Sequence, residues 1–293
     1  MGSSTSEPFV WVITGCSSGI GRELTLAALK RGDKVIATAR PESFDKIQDL
    51  KEQGAAVLEL EVTAHIDELK KVAAEAIGIY GHVDVVMNNA GFLLPGGLEE
   101  STTEDMMIQF NTNVFGAMNV TRAFLPYMRA RRTGTISFIG SCYGWRPAPF
   151  SGIYVASKFA LRGMSYTLDE EIAPFGLRSI CFDSGCFRTP VLSKLDKTKR
   201  WKAVIEDYKE TGEAVNAALL AFDGTQKGDP VRGVNVIMDV IKREGVAQGK
   251  EVPSGFSLGQ DCYETVKESC EKTLESLEAW RQVSMSTDYP DYL

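Results

Sequence analysis

Blocks of apolar residues alternate with longer amphipathic segments along about the first 190 residues of the chain. Short β-branched runs predict buried strands, and segments whose apolar residues recur every three to four positions predict helices. The predicted strands cover residues 9–14, 34–39, 56–62, 82–87, 135–139 and 177–182. The predicted helices cover residues 19–31, 44–53, 66–80, 104–131 and 153–173.

This alternation predicts an α/β fold. Continuous apolar strands separated by helices are typical of a parallel sheet that is covered by helices on both faces. Right-handed crossovers then make the sheet doubly wound, as in Rossmann-like folds. We therefore expect a single Rossmann-like domain over residues 9–283, with a flexible tail at 1–8 and a second tail at 284–293.

After residue 184 the apolar pattern loosens and predicts elements that surround the sheet. Residues 190–228 combine helical spacing with Lys- and Asp-rich stretches, which is typical of a helical lid-like insertion over a substrate site. Further on we expect a helix at 229–243, an edge strand at 252–258 and a C-terminal helix at 262–282. No internal repeat or low-complexity linker predicts a second domain.

The composition excludes several classes of function. The 293 residues are 44% hydrophobic, and the net charge of −7 comes without any Lys/Arg-rich run, so we expect a soluble protein with no nucleic-acid partner. No apolar stretch approaches the ~20 residues of a membrane helix, and no secretory signal is visible. Six cysteines without a Cys-x-x-Cys pair favour reduced thiols and a cytoplasmic location.

A glycine-rich turn, TGCSSGIG at residues 14–21, joins the first predicted strand to the first predicted helix. Glycines permit a close backbone approach, and the helix N-terminus offers unpaired N–H groups and the positive end of its dipole. At the start of a strand–helix alternation, such a turn favours a dinucleotide site over a plain connection. The residues expected at the pyrophosphate are Gly15, Ser17, Ser18, Gly19, Ile20 and Gly21.

The end of the second predicted strand indicates which dinucleotide is used. A carboxylate there would bind the ribose 2′-OH and repel a 2′-phosphate, whereas an arginine would bind that phosphate. The strand ends in Thr38-Ala39-Arg40, without a carboxylate. We therefore predict NADP(H), with Arg40 at the 2′-phosphate and help from Ser17, Ser18 or Thr38; the alternative is a solvated surface arginine.

A tyrosine–lysine pair is the candidate acid/base. The chain has only two histidines, His65 and His82, too few for a multi-His metal site, so we expect no metal and no catalytic histidine. Tyr154 and Lys158 stand four positions apart and therefore share one face of a helix. A tyrosine with an ordinary pKa near ~10 is a poor acid/base, but a nearby ammonium lowers that pKa.

The spacing alone is weak, because Tyr263 and Lys267 repeat it near the C-terminus. Context distinguishes the two pairs: Ser141 stands at the end of a predicted strand upstream of Tyr154, and the matching position before Tyr263 is Lys250, in a polar stretch. We interpret Tyr263 and Lys267 as a solvated helix face.

Together, TGCSSGIG at 14–21, NNAG at 88–91, NVFG at 113–116, Ser141 and Tyr154-x-x-x-Lys158 resemble the short-chain dehydrogenase/reductase superfamily over about residues 9–189. The resemblance implies that Tyr154 is the general acid/base, that Ser141 binds the reacting oxygen, and that Lys158 holds the nicotinamide ribose. It also implies that Asn113 anchors a water in the proton relay. The residues implied to line the cofactor after the fourth strand are Asn89, Ala90 and Gly91.

Two motifs depart from the pattern of this family. Its usual Asp-Val at the adenine ring is Glu61-Val62 here, which still offers a carboxylate to the adenine amino group. Its usual Pro-Gly-x-x-x-Thr beside the nicotinamide begins with Ser184, and loss of the proline is expected to loosen that loop. The residues that we assign to the cofactor in this loop are Gly185, Phe187 and Thr189.

The substrate side is expected to be aromatic and apolar. The candidate lining residues are Phe92, Leu94, Tyr143, Trp145, Phe150, Phe187 and Trp201. Such a lining suits a bulky ketone or alcohol, whereas the alternative is that these side chains pack the lid onto the body. Cys142 and Cys186, which have no partner that would activate a thiol, are interpreted as small packing residues.

The predicted function is that of an NADP(H)-dependent carbonyl reductase or secondary-alcohol dehydrogenase for a polyketide-, steroid- or terpenoid-like substrate. The lid and long C-terminal helix resemble the hydroxysteroid- and retinol-dehydrogenase-like branch with its fungal ketoreductases, many of which serve secondary metabolism. Alternatives on the same scaffold are a dehydratase, epimerase or cyclase, or a nucleotide-sensing binding protein. The resemblance also allows a homodimer or homotetramer.

Overall fold

The structure is a computed structural model that describes residues 7–193 and 204–289. Within these residues the strands are β1 (Val10–Ile13), β2 (Lys34–Ala39), β3 (Ala56–Glu59), β4 (Val85–Asn88), β5 (Gly134–Ile139), β6 (Leu177–Ser184) and β7 (Gly255–Leu258). They pair in parallel as one sheet in the order β3-β2-β1-β4-β5-β6-β7. The predicted α/β, Rossmann-like doubly wound sheet is confirmed.

Helices cover both faces of this sheet, because its central strands are apolar on both sides. The helices are α1 (Gly19–Lys30), α2 (Gln48–Glu52), α3 (Ile66–Tyr80), α4 (Thr103–Phe110), α5 (Ala117–Arg131), α6 (Gly152–Ile172), α7 (Lys209–Phe222), α8 (Pro230–Lys242) and α9 (Gln260–Met285). One core cluster packs α1, α2 and α8 against one face of the sheet. A second cluster packs α3, α5 and α6 against the other face.

The helix predicted over 104–131 is not uniform. A π-helical segment, Asn111–Gly116, separates α4 from α5. The hydrophobic period runs through it unbroken, so the sequence pattern does not show the wider turn. Similarly, the first part of the helix predicted over 44–53 belongs to a 3-10 segment, Pro41–Ile47, that precedes α2.

The order of the strands places a crevice at the carboxyl edge of the sheet. The chain leaves β1 toward β2 on one side and leaves β4 toward β5 on the other, so the two crossovers diverge beyond the ends of β1 and β4. In open α/β sheets, ligands bind at such a switch point. Across the two described stretches of chain, no helix has the length and apolarity needed to cross a membrane.

Candidate active site

The glycine-rich turn after β1 packs closely on the segment that follows β4. Gly15 has a φ of 73°, and a Cβ at this residue would lie 3.0 Å from the Cα of Ala90. The hydroxyl of Thr14 accepts hydrogen bonds from the backbone N–H groups of Asn89 and Ala90, both at 3.0 Å. Asn89 Nδ2 in turn donates to the Thr14 carbonyl at 2.8 Å. The ends of β1 and β4 are thus fastened together at the crevice.

The N-terminus of α1 fits a pyrophosphate. The residue before the helix makes no side-chain cap, and the first turn of α1 contains no acidic residue. Such an end presents backbone N–H groups and a positive dipole to an anion. The turn is also covered from the far side of the crevice, since a Cβ on Gly19 would lie 3.5 Å from Thr189, in the loop after β6.

Arg40 lies directly after β2, with 66% of its side chain exposed and Glu42 at 3.6 Å. Thr38 is buried, and its hydroxyl donates to the Ile13 carbonyl at 3.1 Å, so Thr38 does not reach the surface beside Arg40. The expectation that Thr38 helps to hold a 2′-phosphate is therefore wrong. After β3, the Glu61 carboxylate accepts hydrogen bonds from the backbone and hydroxyl of Thr63, while Val62 is buried.

The structure brings together the four residues expected to perform the chemistry. Tyr154 and Lys158 lie on α6, and Lys158 Nζ is 5.6 Å from the centre of the Tyr154 ring. Ser141 follows β5, and its hydroxyl acts on the phenol of Tyr154 by lowering its pKa. Asn113 lies in the π segment and donates through Nδ2 to Ser157 Oγ at 3.2 Å, on the same helix as Tyr154.

Burial controls the protonation of this cluster. It raises the pKa of Tyr154, and the hydrogen bond with Ser141 opposes this effect only in part. It lowers the pKa of Lys158 to about 8, against the opposing charges of Cys181 and Asp183. The pKa of Tyr154 is thus raised and not lowered as its spacing from Lys158 suggests. The reason is that the phenol is desolvated and Lys158 Nζ is directed at the Ile139 carbonyl, at 2.7 Å.

Two buried amides hold the loop after β4. Asn113 Oδ1 accepts from the backbone N–H of Phe92 at 3.1 Å, and its Nδ2 donates to the Phe92 carbonyl at 3.0 Å. Gln109 donates to the same carbonyl and accepts from the N–H of Leu94, both at 2.7 Å. Gln109 was not predicted from the sequence; its position one helical turn before Asn113 is the only signal. Gly91 lies against Asn113, since a Cβ there would be 3.1 Å from Oδ1.

The loop after β6 is held by an aspartate of α9, which the sequence also did not indicate. Asp261 accepts a hydrogen bond from the backbone N–H of Cys186 at 2.6 Å, and its carboxylate fills the space beside Gly185. The neighbouring thiol of Cys142 and burial raise the pKa of the Cys186 thiol. The contacts of Asp261 anchor the loop that Ser184, in place of a proline, was expected to loosen.

The aromatic residues predicted to line the substrate side divide into two groups. Tyr143 packs edge-on against Tyr154, with ring centres 6.1 Å apart, and Phe150 packs edge-on against Tyr208 at 6.2 Å. The middle of the predicted lid is tied to the loop after β4, because Tyr208 donates to Glu99 at 2.7 Å. Trp201 lies outside the described residues.

Two of the predicted lining residues face elsewhere. The ring of Phe187 is buried in the core against Gly228 and Gly233. The indole of Trp145 donates to Asp183 at 2.7 Å and stacks on Arg162. The expectation that these two side chains line the substrate site is wrong, because each is committed to packing that only the tertiary structure creates.

The second tyrosine–lysine pair is exposed, as predicted. Tyr263 is 62% exposed on α9, and Lys267 forms a solvated ion pair with Glu271 at 3.7 Å.

The sequence of this chain is similar to those of known proteins. Residues 10–200 match the family model described as short chain dehydrogenase. The fungal protein Oxidoreductase BOA17 of Botryotinia fuckeliana is 30% identical over 280 residues, covering 95% of this chain and 98% of that protein. Human Retinol dehydrogenase 8 is 37% identical over 180 residues, covering 59% of this chain and 57% of that protein.

A solved structure extends the agreement to three dimensions. A short-chain dehydrogenase from Streptomyces avermitilis superposes with a TM-score of 0.82 at 31% identity, covering 97% of this chain and 100% of that chain. The chain therefore belongs to the short-chain dehydrogenase family, whose oxidoreductases act on CH–OH and C=O groups with a nicotinamide dinucleotide.

Proposed function

We propose that this protein is an NADP(H)-dependent carbonyl reductase or secondary-alcohol dehydrogenase for a bulky apolar ketone or alcohol of polyketide, steroid or terpenoid type. The observation that supports it most strongly is the grouping of Tyr154 with Ser141, whose hydroxyl lowers the pKa of Tyr154, and with the buried Lys158, whose Nζ lies 5.6 Å from the centre of the Tyr154 ring. Two hydroxyls in this arrangement can bind one carbonyl oxygen together, which orients the carbonyl and puts a proton donor on its oxygen.

We assign residues of the crevice to the cofactor, which when bound supplies or takes up the hydride. We assign the pyrophosphate to the turn after β1 and the 2′-phosphate to Arg40. The adenine is assigned to Glu61 and Val62, and the nicotinamide ribose to Tyr154 and Lys158. The remaining cofactor contacts are assigned to Asn89, Ala90, Gly91, Gly185, Thr189 and the backbone of Phe187.

In the direction of reduction, Tyr154 gives its phenol proton to the substrate oxygen while Ser141 donates a hydrogen bond to the same atom. The ammonium of Lys158 stabilises the phenolate that remains. Both ends of the Asn113 side chain already bond to the chain, so we assign a water of the proton relay to its backbone. The loops around Phe92, Leu94, Tyr143 and Phe150 receive the apolar body of the substrate.

We further propose that residues 190–228 act as the lid and that the protein forms a homodimer or homotetramer. Large apolar side chains are exposed on α4, the π segment and α6, which contact one another. These side chains are Met107, Ile108, Phe115 and Phe159. A second copy would cover them.

The test of the proposed activity follows NADPH absorbance across a panel of bulky ketones, with analysis of the alcohol formed. Oxidation of NADPH that matches alcohol formation supports the proposal. Conversion of the substrate without net NADPH consumption favours a dehydratase, epimerase or cyclase, and cofactor binding without any conversion favours a nucleotide-sensing protein.

Substitution of the proposed acid tests the mechanism. We expect Tyr154→Phe to lower kcat about 10²–10⁴-fold, because proton transfer from a positioned side chain contributes that much. NADPH binding, followed by fluorescence titration, should be retained. Tyr263→Phe on the exposed face of α9 is the matched control and should be fully active. Wild-type turnover by Tyr154→Phe would contradict the mechanism.

A further inference from the structure

A buried carboxylate lies beneath the turn that carries Ser141. Asp183, near the carboxyl end of β6, is only 1% exposed. It accepts hydrogen bonds from Trp145 Nε1 at 2.7 Å and from Cys181 Sγ at 3.5 Å, and the backbone N–H of Ser141 lowers its pKa. Two side-chain donors thus converge on one carboxylate that none of the roles assigned above uses.

The backbone above Asp183 is shaped to accept it. Gly140 precedes Ser141, and a Cβ at Gly140 would overlap Asp183 Oδ1 and lie 2.7 Å from Cys181 Sγ. Any larger residue would therefore lift the turn away from the carboxylate. The contact between Gly140 and Asp183 brings β5, the Ser141 turn and β6 into one rigid arrangement.

Trp145 fastens the other end of the same turn. The guanidinium of Arg162 lies 3.5 Å from the centre of the indole and donates to the Gly144 carbonyl at 2.6 Å. From α9, Ser269 donates to the Trp145 carbonyl at 2.7 Å. The indole N–H is thereby directed at Asp183, and the segment from Ser141 to Trp145 is held at both ends.

The surroundings of Asp183 link it to Lys158 through charge. The titratable groups that act on Asp183 or feel its charge are Lys158, Arg162 and Tyr166 of α6, Cys181 of β6 and Cys262 of α9. Burial raises the pKa of Asp183, and the hydrogen bonds it accepts oppose this. Its negative charge raises the pKa of Lys158, against the lowering by burial to about 8.

We propose that Asp183 is a positioning residue that holds the Ser141 turn so that the Ser141 hydroxyl meets that of Tyr154, and that keeps Lys158 charged beside them. This inference rests on the proposed function, because Asp183 acts on the reaction only by positioning the acid/base group and its neighbours. Asp183 itself touches neither substrate nor cofactor in this scheme.

The test is Asp183→Asn, which preserves shape but leaves one acceptor oxygen and turns an NH2 group toward the converging donors. We expect kcat for ketone reduction to fall about 10–100-fold, as expected for a misplaced reacting group. We also expect the pKa of Lys158, followed by NMR of ¹³C-labelled lysine, to fall below its wild-type value of about 8. The lysine signal is assigned with Lys158→Arg.

Asp169→Asn is the matched control. Asp169 is also a buried carboxylate, and it accepts from Arg178 Nε at 3.0 Å and from the backbone N–H of Ser179 at 2.7 Å, near the opposite end of β6. We expect this variant to lose stability while kcat and the Lys158 pKa keep their wild-type values. A role of Asp183 in stability alone would make the two variants alike.

Either an unchanged kcat or an unchanged Lys158 pKa in folded Asp183→Asn would overturn the proposal. If that variant does not fold, Trp145→Phe replaces it: the loss of one donor to Asp183 should lower kcat while the Lys158 pKa stays near 8, and an unchanged kcat again overturns the proposal. If the wild type reduces no ketone, the proposed function fails, whereas the Lys158 titration still decides the role of Asp183.

Discussion

Burial shifts the pKa values of Tyr154 and Lys158 in opposite directions. The raised pKa of Tyr154 keeps the phenol neutral, which is the form required of an acid in ketone reduction. Lys158 is 6% exposed, and its pKa of about 8 leaves it charged below that pH. The charge it can offer to a phenolate therefore depends on neighbours such as Asp183 as much as on its distance from Tyr154.

Arg40 is the residue to which we assign the choice between NADPH and NADH. We expect Arg40→Ala to raise the Kd of NADPH about tenfold or more, because a hydrogen bond to a charged group contributes about 1.5–3 kcal/mol. The Kd of NADH should not change, since NADH has no 2′-phosphate. Both constants are measured by fluorescence titration.

Arg122→Ala is the control for this experiment, because Arg122 is an exposed arginine on α5 that bonds only to Asn119 among its described contacts. An Arg40→Ala protein with the wild-type preference between NADPH and NADH would show that Arg40 is a solvated surface residue.

At the scale of elements, the break between α4 and α5 matters most for the site. The π segment gives one turn a wider circumference, and such segments are frequent at functional sites. It carries Asn113 to the loop after β4 and to α6, while Gln109 at the end of α4 holds the same loop. The helix and the loop therefore form one unit at the substrate side.

Gln109→Met tests this unit. The substitution leaves the partly buried Leu94 N–H without this partner, at a cost of about 1–3 kcal/mol, while the Phe92 carbonyl keeps its bond from Asn113 Nδ2. We expect a lower midpoint of urea unfolding together with a higher KM for the ketone, because the loop that carries Phe92 and Leu94 becomes mobile.

Gln48→Met is the control, since Gln48 is exposed and donates only to the Phe44 carbonyl among its described contacts. If Gln109→Met loses stability but keeps the wild-type ketone KM, Gln109 serves packing and not the substrate loop.

At the scale of the whole molecule, the opposite edge of the sheet is locked by a buried ion pair. Asp33, just before β2, is bonded by Lys242 Nζ at 3.0 Å, by Trp11 Nε1 at 3.1 Å and by the backbone N–H of Phe9 at 3.1 Å. These contacts join the start of β1, the start of β2 and the end of α8. They hold the C-terminal third of the chain against the half that carries the glycine-rich turn.

We expect Asp33→Ala to lower the free energy of unfolding by about 3–5 kcal/mol, because it leaves the buried charge of Lys242 with only the longer ion pair to Glu244, at 3.9 Å. The kcat of the protein that remains folded should not change, since Asp33 lies at the amino edge of the sheet. Urea unfolding followed by circular dichroism measures the loss.

Glu271→Ala removes an exposed ion pair of α9 and should cost less than about 1 kcal/mol. Equal losses of stability in the two variants would argue that the Asp33–Lys242 pair is solvated in the folded protein.

Short-range patterns in the sequence were sufficient to predict the sheet and the position of much of the candidate site. The alternation of strands and helices requires only the local period of apolar residues, and it led to the parallel sheet. The glycine-rich turn, Ser141, Tyr154 and Lys158 were found because each stands at a defined place relative to a strand end or a helix face, and strand ends in a parallel sheet share one edge.

Contacts between residues far apart in the chain were decided only by the tertiary structure. Asp183, Gln109 and Asp261 carry no local pattern, because their importance comes from the backbone groups that other elements bring to them. The same reason explains why Trp145 and Phe187 were placed on the wrong side: the sequence shows an aromatic ring near the site, but packing against Arg162 or against the core decides which way that ring faces.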